Sequence, residues 1–296
     1  MFDGPIFGVA VEQGSGLEAA LRKARGTTAR EEDLLAFKLI VVETLSPDVT
    51  TLLVDSNLGS DQLPAFHSGW VKMLAYEADV YHISDDDHMM KLPDNLRVAE
   101  SQSLGTEVLK IFLYDGPNDP ADLNGRKAAP LEEIGKECVA DGLAFLFEPI
   151  VYDRAIPDQT SAEYARAKAN LVRAATAAFS DSRFNIDILK VEIPVSMAHV
   201  GPTMTEVETL GAFWDPAEPT GDVPILYLSA GVTFEQFREA LRLSRKAGVE
   251  AKGFMCGRAI WSDTIGIFGA DGPSEMARWM ETTGRERLAA LKDGIA

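Results

Sequence analysis

Ile188-Leu189-Lys190-Val191-Glu192-Ile193-Pro194 is the stretch that decides how this chain folds. Aliphatic and β-branched residues at this density predict a strand buried on both faces, as the strands of parallel sheets are. A lysine in the middle of such a strand is costly to desolvate unless it is paired or used. Lysines kept in that setting serve, once neutral, as amine nucleophiles toward carbonyls. The alternative is a lysine near the strand end whose ammonium group snorkels into water. Period-two alternation places Lys190 and Glu192 on one face of the strand.

Outward from this run, seven more short apolar segments predict strands at residues 6–13, 51–55, 69–76, 108–114, 144–152, 225–231 and 253–261. Amphipathic stretches between them predict helices at 30–45, 92–104, 120–141, 161–179, 233–247 and 274–291. Ser161 and Thr233 resemble N-caps with early carboxylate or amide support. Eight strands alternating with helices predict an α/β fold, a (β/α)8 TIM barrel, formed as a single domain over residues 1–296. A doubly wound open sheet is the rival. Val11-Glu12-Gln13-Gly14-Ser15-Gly16 lacks the third glycine that such a sheet usually carries after its first strand.

Composition narrows the function. The chain has 296 residues, is 46% hydrophobic and carries a net charge of −18. That charge argues against nucleic acid as a partner, because phosphate-backbone binding needs basic clusters. An anionic ligand would be repelled by the overall field, so its site must be built locally from a few cations and backbone N–H groups. No apolar window of about 18 residues predicts a membrane span. Met1-Phe2-Asp3-Gly4-Pro5 lacks the basic and apolar parts of a secretory signal. Cys138 and Cys256 fit neither a disulfide framework nor a metal spacing and read as reduced thiols of a cytoplasmic protein. The cluster Asp85-Asp86-Asp87-His88 reads as a solvated acidic loop, since His67, His82 and His199 supply no ligand spacing with it. No metal is expected.

In a barrel the polar residues at the C-terminal strand ends form the active site. Those ends hold Glu12 and Gln13 on the first strand, Lys110 on the fourth, Glu148 on the fifth, and Lys190 with Glu192 on the sixth. Ser229-Ala230-Gly231 closes the seventh and Cys256-Gly257-Arg258 the eighth. Loops in these last two places are the usual phosphate cradle of the fold. The glycines permit close backbone approach, Ser229 offers a hydroxyl and Arg258 a bidentate guanidinium. An ordinary strand-to-helix turn is the alternative for Ser-Ala-Gly taken alone. The apolar neighbours of Glu148 predict a raised carboxyl pKa suited to acid–base work, with a salt bridge to Lys110 or Lys190 as the other reading. Two lysines on nearby strands predict mutual repulsion that lowers the pKa of one of them.

The segments 180–195, Tyr227-Leu228-Ser229-Ala230-Gly231-Val232, Cys256-Gly257-Arg258-Ala259 and Phe147-Glu148-Pro149-Ile150 resemble the tagatose 1,6-bisphosphate aldolase family, class I enzymes of (β/α)8 fold. The resemblance is close from residue 109 to 284. It implies that Lys190 forms a Schiff base with a phosphorylated ketose and that Glu148 moves protons. It further implies that Ser229, Ala230, Gly231, Gly257 and Arg258 hold phosphate, with Glu12, Gln13 and Lys110 orienting hydroxyls. The implied products are dihydroxyacetone phosphate and glyceraldehyde 3-phosphate, with no metal cofactor. A departure lies after the first strand, where the family tends to read Phe-Asp-Gln-Arg-Gly and this chain has Val11-Glu12-Gln13-Gly14-Ser15. That leaves the far end of the sugar open, and sulfofructose 1-phosphate is an alternative substrate. A glycosidase using Glu148 and Glu192, a metal-dependent aldolase and a non-catalytic sugar-phosphate sensor are the rival functions. A homodimer is the expected assembly, dimers being the commonest soluble oligomer.

Overall fold

Eight parallel strands close into a barrel in chain order: β1 (Ile6–Ala10), β2 (Thr51–Val54), β3 (Val71–Ala75), β4 (Val108–Asp115), β5 (Ala144–Val151), β6 (Ile188–Glu192), β7 (Ile225–Leu228) and β8 (Gly253–Cys256). The computed structural model describes residues 4–26, 30–56, 70–78, 87–94, 96–217 and 223–295. β8 pairs back onto β1 through Ile6↔Gly253 to Val9↔Cys256, which excludes the open-sheet rival. Around the strands lie α1 (Ser15–Arg25), α2 (Glu31–Leu45), α3 (Val98–Ser101), α4 (Ala121–Asp141), α5 (Ala162–Phe179), α6 (Glu206–Ala217) and α7 (Phe234–Lys246). They are followed by α8 (Arg258–Trp261), α9 (Thr264–Asp271), α10 (Pro273–Trp279) and α11 (Arg285–Ile295).

Alternation sorts each strand into two cores. Outward residues such as Val9, Leu52, Leu109, Phe147, Leu189, Tyr227 and Phe254 pack against the helices. Inward, Ile6, Ala10, Leu53, Met73, Val108, Leu146, Ile188, Leu226 and Met255 fill the barrel as a separate apolar plug. Two residues further along the same inward faces come Lys110, Glu148 and Lys190. The site is therefore a polar layer stacked directly on a dry one. That position follows from the pleat, because residues i and i+2 share a face.

Local signals end the helices largely where expected. The Ser161 hydroxyl accepts from the Tyr164 backbone N–H at 3.1 Å, and Thr233 and Gln236 form a reciprocal capping box at the start of α7. Three strands stop well short of their apolar runs, by three residues or more. β1 ends at Ala10, so Glu12 and Gln13 lie on the following loop; β7 ends at Leu228; and β8 ends at Cys256, after which 258–261 is a helical turn. The helix expected over 92–104 is confined to Val98–Ser101 and a 3-10 turn at Gln102–Leu104. The stretch 274–291 is broken by a π turn at Met280–Gly284. α1, α6 and α9 were not legible as helices.

Candidate active site

Four charged side chains meet at the C-terminal end of β3 to β6. Glu148 Oε2 lies 3.0 Å from Lys190 Nζ and 2.9 Å from Lys110 Nζ. Lys110 also binds Glu77 Oε1, just beyond β3. The result is a chain of alternating sign, Glu77–Lys110–Glu148–Lys190, in which no side chain is more than 9% exposed. Lys190 is itself only 3% exposed, so the snorkelling alternative is not what the structure adopts.

This arrangement overturns two electrostatic expectations. Burial works against the Glu148 carboxylate, but the ammonium groups of Lys110 and Lys190 outweigh it and hold its pKa below the ordinary value rather than above it. Burial also opposes the Lys110 ammonium, yet the carboxylates of Glu148, Glu77 and Glu12 together raise it well above the usual lysine range. Lys110 is thus a firmly charged cation, not the depressed member of a repelling pair. Glu77 faces one lysine instead of two; burial wins there and its pKa is raised. The number of cations in contact decides the sign in each case.

A second group forms beyond β7 and β8. Ala230 and Gly231 both have positive φ, 47° and 77°, and the Val232 N–H closes onto the Ser229 carbonyl at 3.0 Å. Such mirror-image turns favour glycine; alanine there costs on the order of 1 kcal/mol. A Cβ on Gly231 would stand 3.3 Å from Nη1 of Arg258, so the guanidinium lies directly against that turn. Gly257 is held close to β1, where a Cβ would fall 2.2 Å from the Ala10 carbonyl oxygen. That oxygen already accepts from Trp261 Nε1 at 3.0 Å. Ser229 is buried while Arg258 is exposed. Lys190 is close enough to Cys256 for its charge to act on that thiol, which links the amine to the strand carrying the cradle.

The DeoC/LacD family aldolase model matches residues 24–263. The chain belongs to this family of aldolases. It is a carbon–carbon lyase, similar to the tagatose 1,6-diphosphate aldolase of Listeria monocytogenes, with 32% identity over 293 residues, 97% of this chain and 86% of that one. Tagatose 1,6-diphosphate aldolase 2 of Streptococcus agalactiae is 34% identical over 300 residues, covering 98% and 90%. Among solved structures, fructose-bisphosphate aldolase from Plasmodium falciparum shares the fold with a TM-score of 0.72 at 13% identity, covering 97% and 89%.

Other polar groups of this aldolase are placed differently. Glu192 shares the inward face of β6 as expected, but its Oε2 accepts from the Val151 N–H at 2.8 Å and its Oε1 binds Lys168 of α5 at 3.1 Å. β5 and β6 stop pairing after Phe147↔Leu189, so this carboxylate bridges the strands where the ladder ends. A glycosidase pairing of Glu148 with Glu192 would need both carboxylates facing substrate, which these contacts oppose. Glu12 and Gln13 each keep a buried acceptor oxygen with no donor among the described residues. Asp87 pairs with Arg126 and Arg154, whereas Asp85, Asp86, His67 and His82 lie outside the described residues. Among the described residues no group of three or more His, Cys, Asp or Glu is arranged to hold a metal, and no helix is long and apolar enough to cross a membrane.

Sequence reading missed Glu77 and Lys168. Glu77 carried a usable signal: the inward positions Met73 and Ala75 lead by period two to residue 77, one past the point where the apolar run was cut. Lys168 carried none, because a lysine on an amphipathic helix gives no hint of which strand-end carboxylate it meets.

Proposed function

We propose that this aldolase works by class I chemistry, cleaving a phosphorylated ketose through a Schiff base on Lys190. The observation that carries the proposal is the buried Lys190–Glu148 contact at 3.0 Å, an amine and a proton carrier in reach of the same carbon. The substrate is tagatose 1,6-bisphosphate or a close relative, a reading supported by the names of the Listeria and Streptococcus relatives. The products are dihydroxyacetone phosphate and glyceraldehyde 3-phosphate.

Glu148, as carboxylate, accepts the proton that Lys190 must lose, and the free amine attacks the C2 carbonyl to give a carbinolamine. Glu148 returns that proton to the carbinolamine hydroxyl, and loss of one water yields the iminium, an electron sink. Glu148 then takes the C4 hydroxyl proton as the C3–C4 bond breaks; the electron pair moves to C3 and the aldehyde departs. Protonation of the resulting enamine at C3 and uptake of one water release dihydroxyacetone phosphate and restore the amine. Lys110 stays charged throughout, fixing Glu148 and stabilising the developing alkoxide at C4. Ser229, Ala230, Gly231, Gly257 and Arg258 hold the C1 phosphate, which sets C2 over the amine. Glu12 and Gln13 accept substrate hydroxyls. No metal cofactor takes part.

Gly14, at the place where the family tends to carry arginine, favours a second reading in which the distal group differs and sulfofructose 1-phosphate is the substrate. One experiment tests the core proposal. Borohydride added with dihydroxyacetone phosphate should fix a covalent adduct on the wild type, mapped to Lys190 by peptide mass. The Lys190→Ala variant should form none and lose at least about 10⁴-fold in kcat, as expected when a covalent nucleophile is removed. Adduct elsewhere, or a few per cent residual activity, would refute the assignment. Turnover surviving EDTA separates this chemistry from a metal-dependent aldolase.

A further inference from the structure

The charge chain at the barrel mouth ends in an oxygen that none of the described residues satisfies. Glu77 Oε1 is held by Lys110, while its Oε2 is buried and has no hydrogen-bond partner among the described residues. Burying a carboxylate oxygen without a donor is costly, and native proteins rarely tolerate it without a reason. The side chain as a whole keeps 8% exposure, although Oε2 itself is covered. Glu12 Oε2 and Gln13 Oε1, on the loop after β1, are likewise buried without a donor among the described residues.

Strand order says what could supply the missing donor. Around the barrel run the cradle on β7 and β8, the amine on β6, Glu148 on β5, Lys110 on β4 and Glu77 after β3. A ketose anchored by its C1 phosphate has C2 at the amine and C3–C4 at Glu148. Its aldehyde half then extends over Lys110 toward Glu77. The cradle offers donors and suits an anion; the position after β3 offers a bare acceptor and suits a hydroxyl group.

Resting on the Schiff-base reading above, we propose that Glu77 contacts substrate, its free Oε2 accepting the C5 hydroxyl of the ketose and selecting aldehydes hydroxylated next to the carbonyl. Lys110 acts as the clamp that fixes Glu77 for this contact through Oε1. Burial raises the Glu77 pKa, which is the expected state of a carboxyl waiting for a donor. The C5 hydroxyl is a spectator in bond cleavage, so this contact governs which aldehyde is accepted and leaves the iminium chemistry alone.

The condensation direction tests this cleanly. Dihydroxyacetone phosphate is offered with D-glyceraldehyde 3-phosphate or with its 2-deoxy analogue, which lacks only the corresponding hydroxyl. The wild type should prefer the hydroxylated aldehyde by about tenfold to a hundredfold in kcat/KM, the range for a hydrogen bond to a charged group. Glu77→Gln keeps the size of the side chain but offers an amide where the free oxygen stood; Glu77→Ala removes the group. Both should lower the preference below about threefold while still trapping dihydroxyacetone phosphate under borohydride. Wild type without preference, or variants that keep it, would overturn the role of Glu77. Variants that lose the borohydride adduct would also overturn it, because Glu77 would then act on the amine. A wild type that forms no adduct would instead sink the Schiff-base reading itself.

Discussion

The two sides of the barrel mouth handle charge in opposite ways. Across β3 to β6, Glu77, Lys110, Glu148 and Lys190 are bound to one another and almost wholly removed from water. Across β7 and β8, Arg258 stands exposed against a strained turn. The buried side needs dense mutual compensation, because an isolated ion there is intolerable and each charge acts strongly on its neighbours. The open side needs reach, since a protein of net charge −18 repels the anion it has to capture. The proposed function thus assigns reactivity and capture to separate strands, one dry and one wet.

The contrast breaks first at Glu148, the only described partner of Lys190 in the chain of charges. Glu148→Gln leaves two buried cations without their shared anion. We expect kcat to fall by about 10³-fold, within the range for an acid–base group, and unfolding free energy to drop by about 3–5 kcal/mol in urea titrations. A loss under tenfold would mean the buried side is not the reactive one. The variant should also alter the acid limb. In the wild type the folded pKa of Glu148 lies below its unfolded value near 4.5, so its stabilisation is present above that pH and lost as pH falls through the lower folded value. Denaturation followed from pH 7 to pH 3 should show this loss in the wild type and not in the variant.

Arg258→Ala probes the open side. KM for a phosphorylated ketose should rise about tenfold to a hundredfold with kcat little changed, while stability stays within about 0.5 kcal/mol, as for an exposed substitution. A fall in kcat with constant KM would show that the guanidinium acts on the reacting atoms and would erase the division of labour.

The smallest effect sharpens the rule that cations in contact set the sign of a buried carboxyl. Asp115 ends β4 on its outward face. Burial pushes it up to about 6, with Lys127 opposing and Asp119 reinforcing the rise. Its folded value lies above its unfolded 3.8, so the associated stability is complete below about pH 4 and lost as pH rises through 6. Asp115→Asn should therefore be more stable than the wild type at pH 7 by up to about 2–3 kcal/mol, at roughly 1.4 kcal/mol per pH unit, with the gap closing below pH 4. A destabilised variant at pH 7 would show that Lys127 compensates Asp115 as fully as two lysines compensate Glu148.

The amino-acid order alone determined the barrel and most of its reactive face. Apolar runs marked all eight strands, because burial on both faces leaves few polar positions and makes Lys110, Glu148 and Lys190 conspicuous within them. Glycines beside Ser229 and Arg258 were legible for a related reason, since a positive φ at Gly231 and a close approach to β1 at Gly257 demand specific backbone freedom. Of the contacts between distant segments, the pairing of Glu148 with Lys110 or Lys190 was legible as one of two readings, and the others were not. Which lysine meets which carboxylate depends on strand register and helix docking, and this reversed the direction expected for Glu148 and fastened Glu192 to Lys168. Only the closed barrel brought Glu77 beside Lys110 with one oxygen left over, because hydrogen-bond satisfaction is a property of neighbours in space and not of neighbours in the chain.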